Sequence, residues 1–327
     1  MSDQNPANIL CAYELDGKGN GIPLIGDEIA KKVKANTLAW VHLDAAHSDT
    51  RQWLEDNVSY LDPFILDALL ATETRPRITE IKDGMLVILR GVNLNEDADA
   101  EDMISIRLWI DEHRIISTRL RKLKAVQDMR DHLENGTGAK NAGDFLSMLS
   151  SRLLERMEPV IRELDDRTDQ VEENIIENPD IAFRHEIIDI RKMSIILRRY
   201  IAPQKDALSR IYTSKLRWID PSHQRRTHES LDRATRYIED LDAIRERAAI
   251  VKDELANIMA DRMNKNMYVL SIIAAIFLPL GFLTGLLGIN VGGMPGAESS
   301  VAFWIVCLLC VGVGVGLLAL FRKLKWI

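Results

Sequence analysis

The residues of this sequence best suited to handle a cation stand at Gly288, Ile289 and Asn290, where a long apolar run ends. Asn290 offers a side-chain carbonyl, an acceptor without charge. A ring of such carbonyls at a pore mouth binds a hydrated cation by replacing water hydrogen bonds or outer-shell ligands, and the lack of charge lets the ion leave. An asparagine in this place can equally be no more than the last residue of a helix, and the triplet alone is short.

Behind it runs a row at spacings of three and four: Ala260, Asn264, Met267, Ser271, Ala274, Leu278, Gly281 and Gly285. Ser271, Ala274, Gly281 and Gly285 are small, and Gly281-xxx-Gly285 is a helix-packing signal. If several copies of the helix surround an axis, the same small residues leave an aqueous bore. Continued toward the N-terminus, the row reads Glu239, Asp242, Glu246, Ala249 and Asp253. Asp242 and Glu246 are like charges four residues apart, unfavourable on an isolated helix and relieved where cations collect. The plainer reading of these acids is a solvated face neutralised by Arg245, Arg247 and Lys252.

Other candidates for metal chemistry are thin. Cys307 and Cys310 are spaced as CxxC but have no second pair of ligands. His185 with Asp189, and His223 with His228, read as surface histidines. No nucleophile–base pair or hydrolytic metal motif stands out, so no enzymatic activity and no catalytic residue is expected. A phosphate-binding GxxxxGK[ST] loop is also lacking, and nothing points to ATP or to nucleic acid.

The elements that must position the row are legible. Met267–Leu287 and Val301–Phe321 are each 21 residues long and carry no charged side chain. As helices they span ~31 Å, the thickness of a bilayer core. Arg262 and Lys265 precede the first span, Arg322, Lys323 and Lys325 follow the second, and the loop between has no Lys or Arg. Both termini are therefore expected on the cytoplasmic side, with Tyr268, Trp304 and Trp326 at the interfaces. The N-terminus has no signal-peptide pattern.

Charge divides the 327 residues unevenly. Residues 266–327 hold three basic and one acidic side chain, and the first 265 hold 39 basic and 48 acidic, so the two parts carry +2 and −9. With 46% hydrophobic residues and three cysteines, a disordered chain and a disulfide-stapled secreted module are excluded.

Residues 1–120 read as an α/β domain, with strands over Ile9–Leu15, Leu38–Leu43, Met85–Asn93, Ile104–Ile110 and Arg114–Arg119. Asp83-Gly84 and Asp111-Glu112 are hairpin turns in this reading, and Asp62-Pro63 opens a helix. Residues 121–220 read as helices near Leu123–Glu134, one long run over Asp144–Asn178, and Ile181–Ser214. Pro221 then begins a pattern free of Gly and Pro as far as Pro279, a stalk over 221–266 that continues into a first span over 267–288. Those ~58 residues would measure ~87 Å as one helix. Leu231, Ala234, Ile238, Leu241, Ile244, Ala248, Val251, Leu255 and Ile258 give it an apolar seam, to be covered by neighbouring helices or by copies of itself. An outer loop over 289–300, a second span over 301–321 and a basic tail over 322–327 complete the chain.

An acidic α/β domain, a very long stalk helix, two C-terminal spans and Gly288-Ile289-Asn290 together resemble the CorA-type metal-ion transporter superfamily, over essentially the whole chain. Ile289 in place of the usual methionine, followed by Val291-Gly292-Gly293-Met294-Pro295-Gly296, is similar to its ZntB zinc-transporter branch. The resemblance implies a funnel-shaped homopentamer in an inner (plasma) membrane, with the stalk helix continuing as the pore lining. It implies zinc uptake, possibly coupled to protons, with zinc as cargo and no cofactor. By position, Gly288 and Asn290 match the selectivity motif, and Asn264, Met267, Leu278, Gly281 and Gly285 match pore-facing sites. Asp253 matches an acidic site lower in the funnel, and Arg322, Lys323 and Lys325 match a basic ring at the inner mouth. The family's outer-loop acid directly follows Met-Pro; here Gly296 stands there and Glu298 comes two residues later.

Three alternatives stay open: a passive magnesium, cobalt or nickel channel, a zinc efflux route, and a membrane-anchored coiled-coil scaffold without transport. The spans contain no Asp, Glu, His or Lys to relay protons.

Overall fold

The computed structural model describes residues 5–35, 37–288, 296 and 299–324. They fall into two compact units, residues 1–252 and 253–327.

The first unit is built on a seven-stranded sheet. Its strands are β1 (Ile9–Leu15), β2 (Gly21–Pro23), β3 (Ala39–Asp44), β4 (Arg77–Ile81), β5 (Gly84–Gly91), β6 (Ile104–Ile110) and β7 (Arg114–Arg119), in the order β2-β1-β3-β7-β6-β5-β4. Only β3 and β7 pair in parallel; the other neighbours are antiparallel. The later strands follow the expected hairpins, β4–β5 through Lys82-Asp83 and β6–β7 through Asp111 to His113. At the first of these turns Lys82 adopts φ 55°. Two strands carry no hydrophobic alternation that sequence could reveal. β2 has three residues, and edge strand β4 buries only Ile78.

Both sheet faces are covered. Helices α1 (Asp27–Lys34), α2 (Asp49–Asn57) and α3 (Pro63–Leu70) bury Ile29, Leu54, Ile65 and Leu69 against Val41, Leu43 and Leu86. The α3 start follows its sequence: Asp62 accepts the Phe64 N–H at 2.8 Å, and Pro63 takes the first turn. On the other face Trp40 packs against Phe145, ring centroids 5.0 Å apart. There the Trp40 indole N–H donates to Ser117 Oγ at 2.8 Å, and His42 Nδ1 lies 2.8 Å from the same hydroxyl. Burial, helped by the Arg119 charge, pushes the His42 imidazole down to about 3, so it is neutral at physiological pH.

The helical layer is α4 (Lys124–Glu134), α5 (Ala142–Glu155), α6 (Glu158–Glu177), α7 (Phe183–Tyr212) and α8 (Pro221–Leu287). The single run expected over 144–178 is two helices. Pro159, in the first turn of α6, lacks an N–H and its ring would press on the carbonyl of Glu155, so the chain breaks at Arg156 and Met157. Helix α8 runs unbroken for 67 residues and passes through Pro279.

The α8 seam is closed within the chain. Ala234, Tyr237, Leu241, Ile244, Ala248 and Val251 are buried at a strict three–four spacing, with Tyr237 rather than Ile238 taking its place. Tyr237 donates to the Leu154 carbonyl at 3.3 Å, and Arg233 lies 3.6 Å from Glu155, which seats α8 on α5. Arg247 meets Asp165, Asp169 and Glu172 of α6, and Arg198 of α7 lies 2.7 Å from Asp242. This part of α8 is therefore covered by its own α5, α6 and α7, with copies of itself not needed.

In the second unit α8 continues from Asp253, and α9 covers Ala302–Lys323. Both helices are long and apolar enough to cross a membrane, and none of either apolar window is buried inside the chain. That surface excludes water only if lipid or other chains cover it.

Candidate functional site

The candidate site is the exposed row of α8. Asn264, Met267, Ser271, Ala274, Leu278, Gly281 and Gly285 all lie on the helix and are all exposed, Leu278 at 74%. The partly shielded residues of the same segment are others, Ile272, Ala275, Ile276, Pro279, Leu280 and Leu283. The row therefore lies off the stripe that packing within the chain shields. A Cβ built on Gly281 or Gly285 meets nothing within 4 Å. These glycines serve no close contact inside one chain, and neither do Gly312 and Gly316 of α9.

Ser271 donates its hydroxyl to the Met267 carbonyl at 2.8 Å, and Thr284 bonds back to the Leu280 carbonyl at 3.0 Å. The helix itself satisfies both donors, which leaves their oxygen lone pairs available to a passing cation or its waters. Pro279 has no N–H, so the Ala275 carbonyl loses its intrahelical donor beside Leu278 in the row.

Gly288 ends the helix. Its N–H donates to the Gly285 carbonyl at 3.2 Å, and a Cβ there would lie 2.9 Å from the Thr284 carbonyl oxygen. A side chain at 288 would have to push the last turn aside, which is a physical reason for glycine at the exit. Ile289, Asn290, Glu298 and Lys325 lie outside the described residues. Arg322 and Lys323 are exposed in the last turn of α9, where positive charge suits the negative end of the helix dipole.

The acidic part of the row divides. Glu239 and Glu246 are exposed and pair with no basic side chain among the described residues. Asp242 is half-buried between Arg198 Nε at 2.7 Å and Arg245 Nη2 at 3.2 Å, so its charge is spent inside the fold. Asp253 is exposed on α8 at the start of the second unit. Of the cations expected to neutralise this face, Arg245 does so, while Arg247 turns to α6. Hydrogen bonds that it donates to Glu172 and Asp169 hold the Arg247 guanidinium well above its usual range. The Asp240 carboxyl is raised by burial and by the charges of Asp165 and Glu239. The acidic stripe Asp165, Asp169, Glu172 is visible in the sequence at helical spacing; what it binds is not.

Among the described residues no three of His, Cys, Asp and Glu converge as a metal site. His185 and Asp189 are exposed, and His228 is exposed beside Asp232 at 3.1 Å. His223 departs from the expected surface position. It is buried, with Nε2 3.4 Å from Asp144 and Nδ1 accepting the Asp220 N–H at 3.1 Å, and it joins the N-terminal turns of α5 and α8.

Comparison with known proteins extends these observations to the whole chain. Residues 35–323 match the family described as CorA-like Mg2+ transporter protein. The chain is 39% identical over 323 residues to a protein of Pseudomonas aeruginosa named divalent cation transporter CmaX, covering 98% of this chain and 97% of that one. It is 36% identical over 316 residues to the zinc transport protein ZntB of Yersinia enterocolitica, covering 97% and 95%. The solved structure of full-length CmaX superposes with a TM-score of 0.86 at 38% identity, over 100% of both chains.

Proposed function

The chain belongs to the CorA-like Mg2+ transporter family, and from that membership we infer that it carries divalent metal cations across a membrane, with zinc as the preferred cargo. It is a transporter and not an enzyme. The observation that carries the reading is full-length similarity to proteins named as zinc and divalent-cation transporters. The exposed, small and amide-bearing row of α8 gives that activity a physical route.

Two spans in one chain cannot enclose a path, so the α8 helices of several copies must surround an axis. A homopentamer, as the family resemblance implies, would place Gly281 and Gly285 where no side chain narrows the bore. Asn264, Ser271 and backbone carbonyls would then offer uncharged acceptors, and Asn290 would act at the mouth as the selective ring. Glu239, Glu246 and Asp253 would raise the local cation concentration on the cytoplasmic side, and Glu298 would do so outside. Arg322, Lys323 and Lys325 would form the inner basic ring and hold the cytoplasmic orientation in an inner membrane. The spans hold no Asp, Glu, His or Lys, so any proton coupling would run through water or through groups outside them.

Flux into proteoliposomes, zinc against magnesium and with or without a pH gradient, tests the reading. Asn290→Ala should lose discrimination between the two ions while the oligomer stays intact. Unchanged zinc selectivity in that variant would remove Asn290 from the filter, and no flux of any divalent ion would overturn transport itself.

A further inference from the structure

Beneath the loop that follows α3, two arginines lie in the fold with no carboxylate in contact with them; Asp102, which pairs with Arg121, acts on Arg90 only from farther off. Arg90 of β5 stands opposite Ser105, and Arg107 of β6 stands opposite Ile88. The two arginines are thus diagonal neighbours on one face of the sheet, within reach of each other's long side chains. Arg107 is wholly buried. Its Nη2 donates to the Thr72 carbonyl at 3.4 Å, and its Nε and Nη1 are sealed from solvent without a protein partner. Arg90 donates to the carbonyls of Met103 at 2.7 Å and Thr74 at 2.8 Å, and its Nε is likewise sealed and unpartnered. The buried Thr74 hydroxyl also lacks a partner.

Four buried polar groups thus gather around residues 72–74, and every one of them can donate. Neither guanidinium pairs with a carboxylate among the described residues. Burial and the like charge of Arg90 push Arg107 down to about 10, which still leaves it charged at neutral pH. Arg107 is a buried charge with no counter-charge beside it, among the costliest features a fold can carry. Water could satisfy the donors but not the charge. An anion satisfies both.

We propose that Arg90, Arg107 and Thr74 form a binding site for a small inorganic anion, a halide or a compact oxyanion such as phosphate, under the Thr72–Thr74 loop. The site is separate from the cation row on α8. It bears on the seat of α7: the Arg90 guanidinium lies 4.2 Å over the Tyr200 ring, and Gln204 Oε1 accepts the Arg90 N–H at 2.7 Å. Occupancy would tie β5, β6, the loop and α7 together.

The test uses the full-length protein in detergent. Thermal unfolding is followed at constant ionic strength while gluconate, a bulky organic anion, is replaced by chloride, bromide or phosphate. Wild type should gain a saturable rise in midpoint. Arg107→Met should weaken the apparent anion affinity about tenfold or more, and Thr74→Val about threefold. Crystals grown with bromide should show an anomalous peak within hydrogen-bond distance of Arg107 Nε or Nη1. Loss of that peak to phosphate identifies an oxyanion site, and its persistence identifies a halide site. Should Arg107→Met fail to fold, Thr74→Val and the wild-type bromide crystals decide. Only water at the position, or equal anion dependence in wild type and Thr74→Val, overturns the proposal.

Discussion

In residues 1–252 charged and polar side chains of distant elements meet within the chain. Arg247 is held by three carboxylates of α6, Asp242 by arginines of α7 and α8, and His42 by Ser117 in the core. The second unit differs in its apolar helices. The apolar windows of α8 and α9 are uncovered, and the glycines of α8 that would admit a close neighbour have none. The core of the first region closes within one chain, whereas the second is specified for surroundings that one chain does not supply. The lesson is that exposed small and amide residues on an apolar helix mark where other copies, lipid and water must come in.

The comparison is broken most sharply by filling the open row. Gly281→Leu combined with Gly285→Leu should cut zinc flux in proteoliposomes about tenfold or more by narrowing a bore. Hydrogen exchange of the sheet amides should stay as in wild type. Undiminished flux would mean that this stripe does not line the path.

Identical truncations in the two regions sharpen the contrast. Leu241→Ala opens a cavity in the closed seam and should cost ~2–5 kcal/mol of unfolding free energy in denaturant titrations. Leu278→Ala, exposed in the single chain, should cost less than about 1 kcal/mol in the same titrations. Equal losses would show Leu278 to be packed as a core residue.

The closed region should also respond to acid. The folded imidazole of His42 titrates at about 3, below the ordinary 6.5. Between these values the unfolded chain binds a proton that the native one does not, so stability is present above pH 6.5 and is lost as pH falls toward 3. The slope from this group is at most ~1.4 kcal/mol per pH unit. Melting of wild type and His42→Gln between pH 7 and 5 measures it; parallel curves would dismiss the mechanism.

The smallest effect belongs to the open acids. Glu239→Gln with Glu246→Gln should change stability by no more than ~0.5 kcal/mol. It should lower zinc flux about twofold at low salt and less at high salt, since exposed charges are screened. A stability loss larger than this would mean that the two acids are paired in the assembled protein.

Much of the fold was legible for identifiable reasons. The strands around Trp40, Leu89 and Leu108 are buried and β-branched or aromatic, and α3 announces itself with Asp62-Pro63. Helix α1 went unseen because only Ile29 and Val33 of its eight residues face the core. The run over 144–178 read as one helix because Pro159 is tolerated in a first helical turn, and periodicity does not say which turn is first. His223 looked like a surface residue because its partners, Asp144 and Asp220, come from a helix start some 80 residues away and from its own N-terminal turn. That Asn264 to Gly285 of the α8 row share one helix face was readable, because residues three and four apart on a helix lie on the same side whatever surrounds it.

Sequence alone determined the two apolar spans, their length against a bilayer, the small-residue row and the glycine that ends α8. These depend on local composition and helical spacing, which no distant contact alters. Tertiary structure decided which charges are consumed. Asp242 is taken by Arg198 and Arg247 by α6, while Glu239 and Glu246 remain open. It alone brought Arg90, Arg107 and Thr74 together. Pairing between charges depends on distances across helices and strands far apart in the chain, and side-chain spacing along one element carries no record of them.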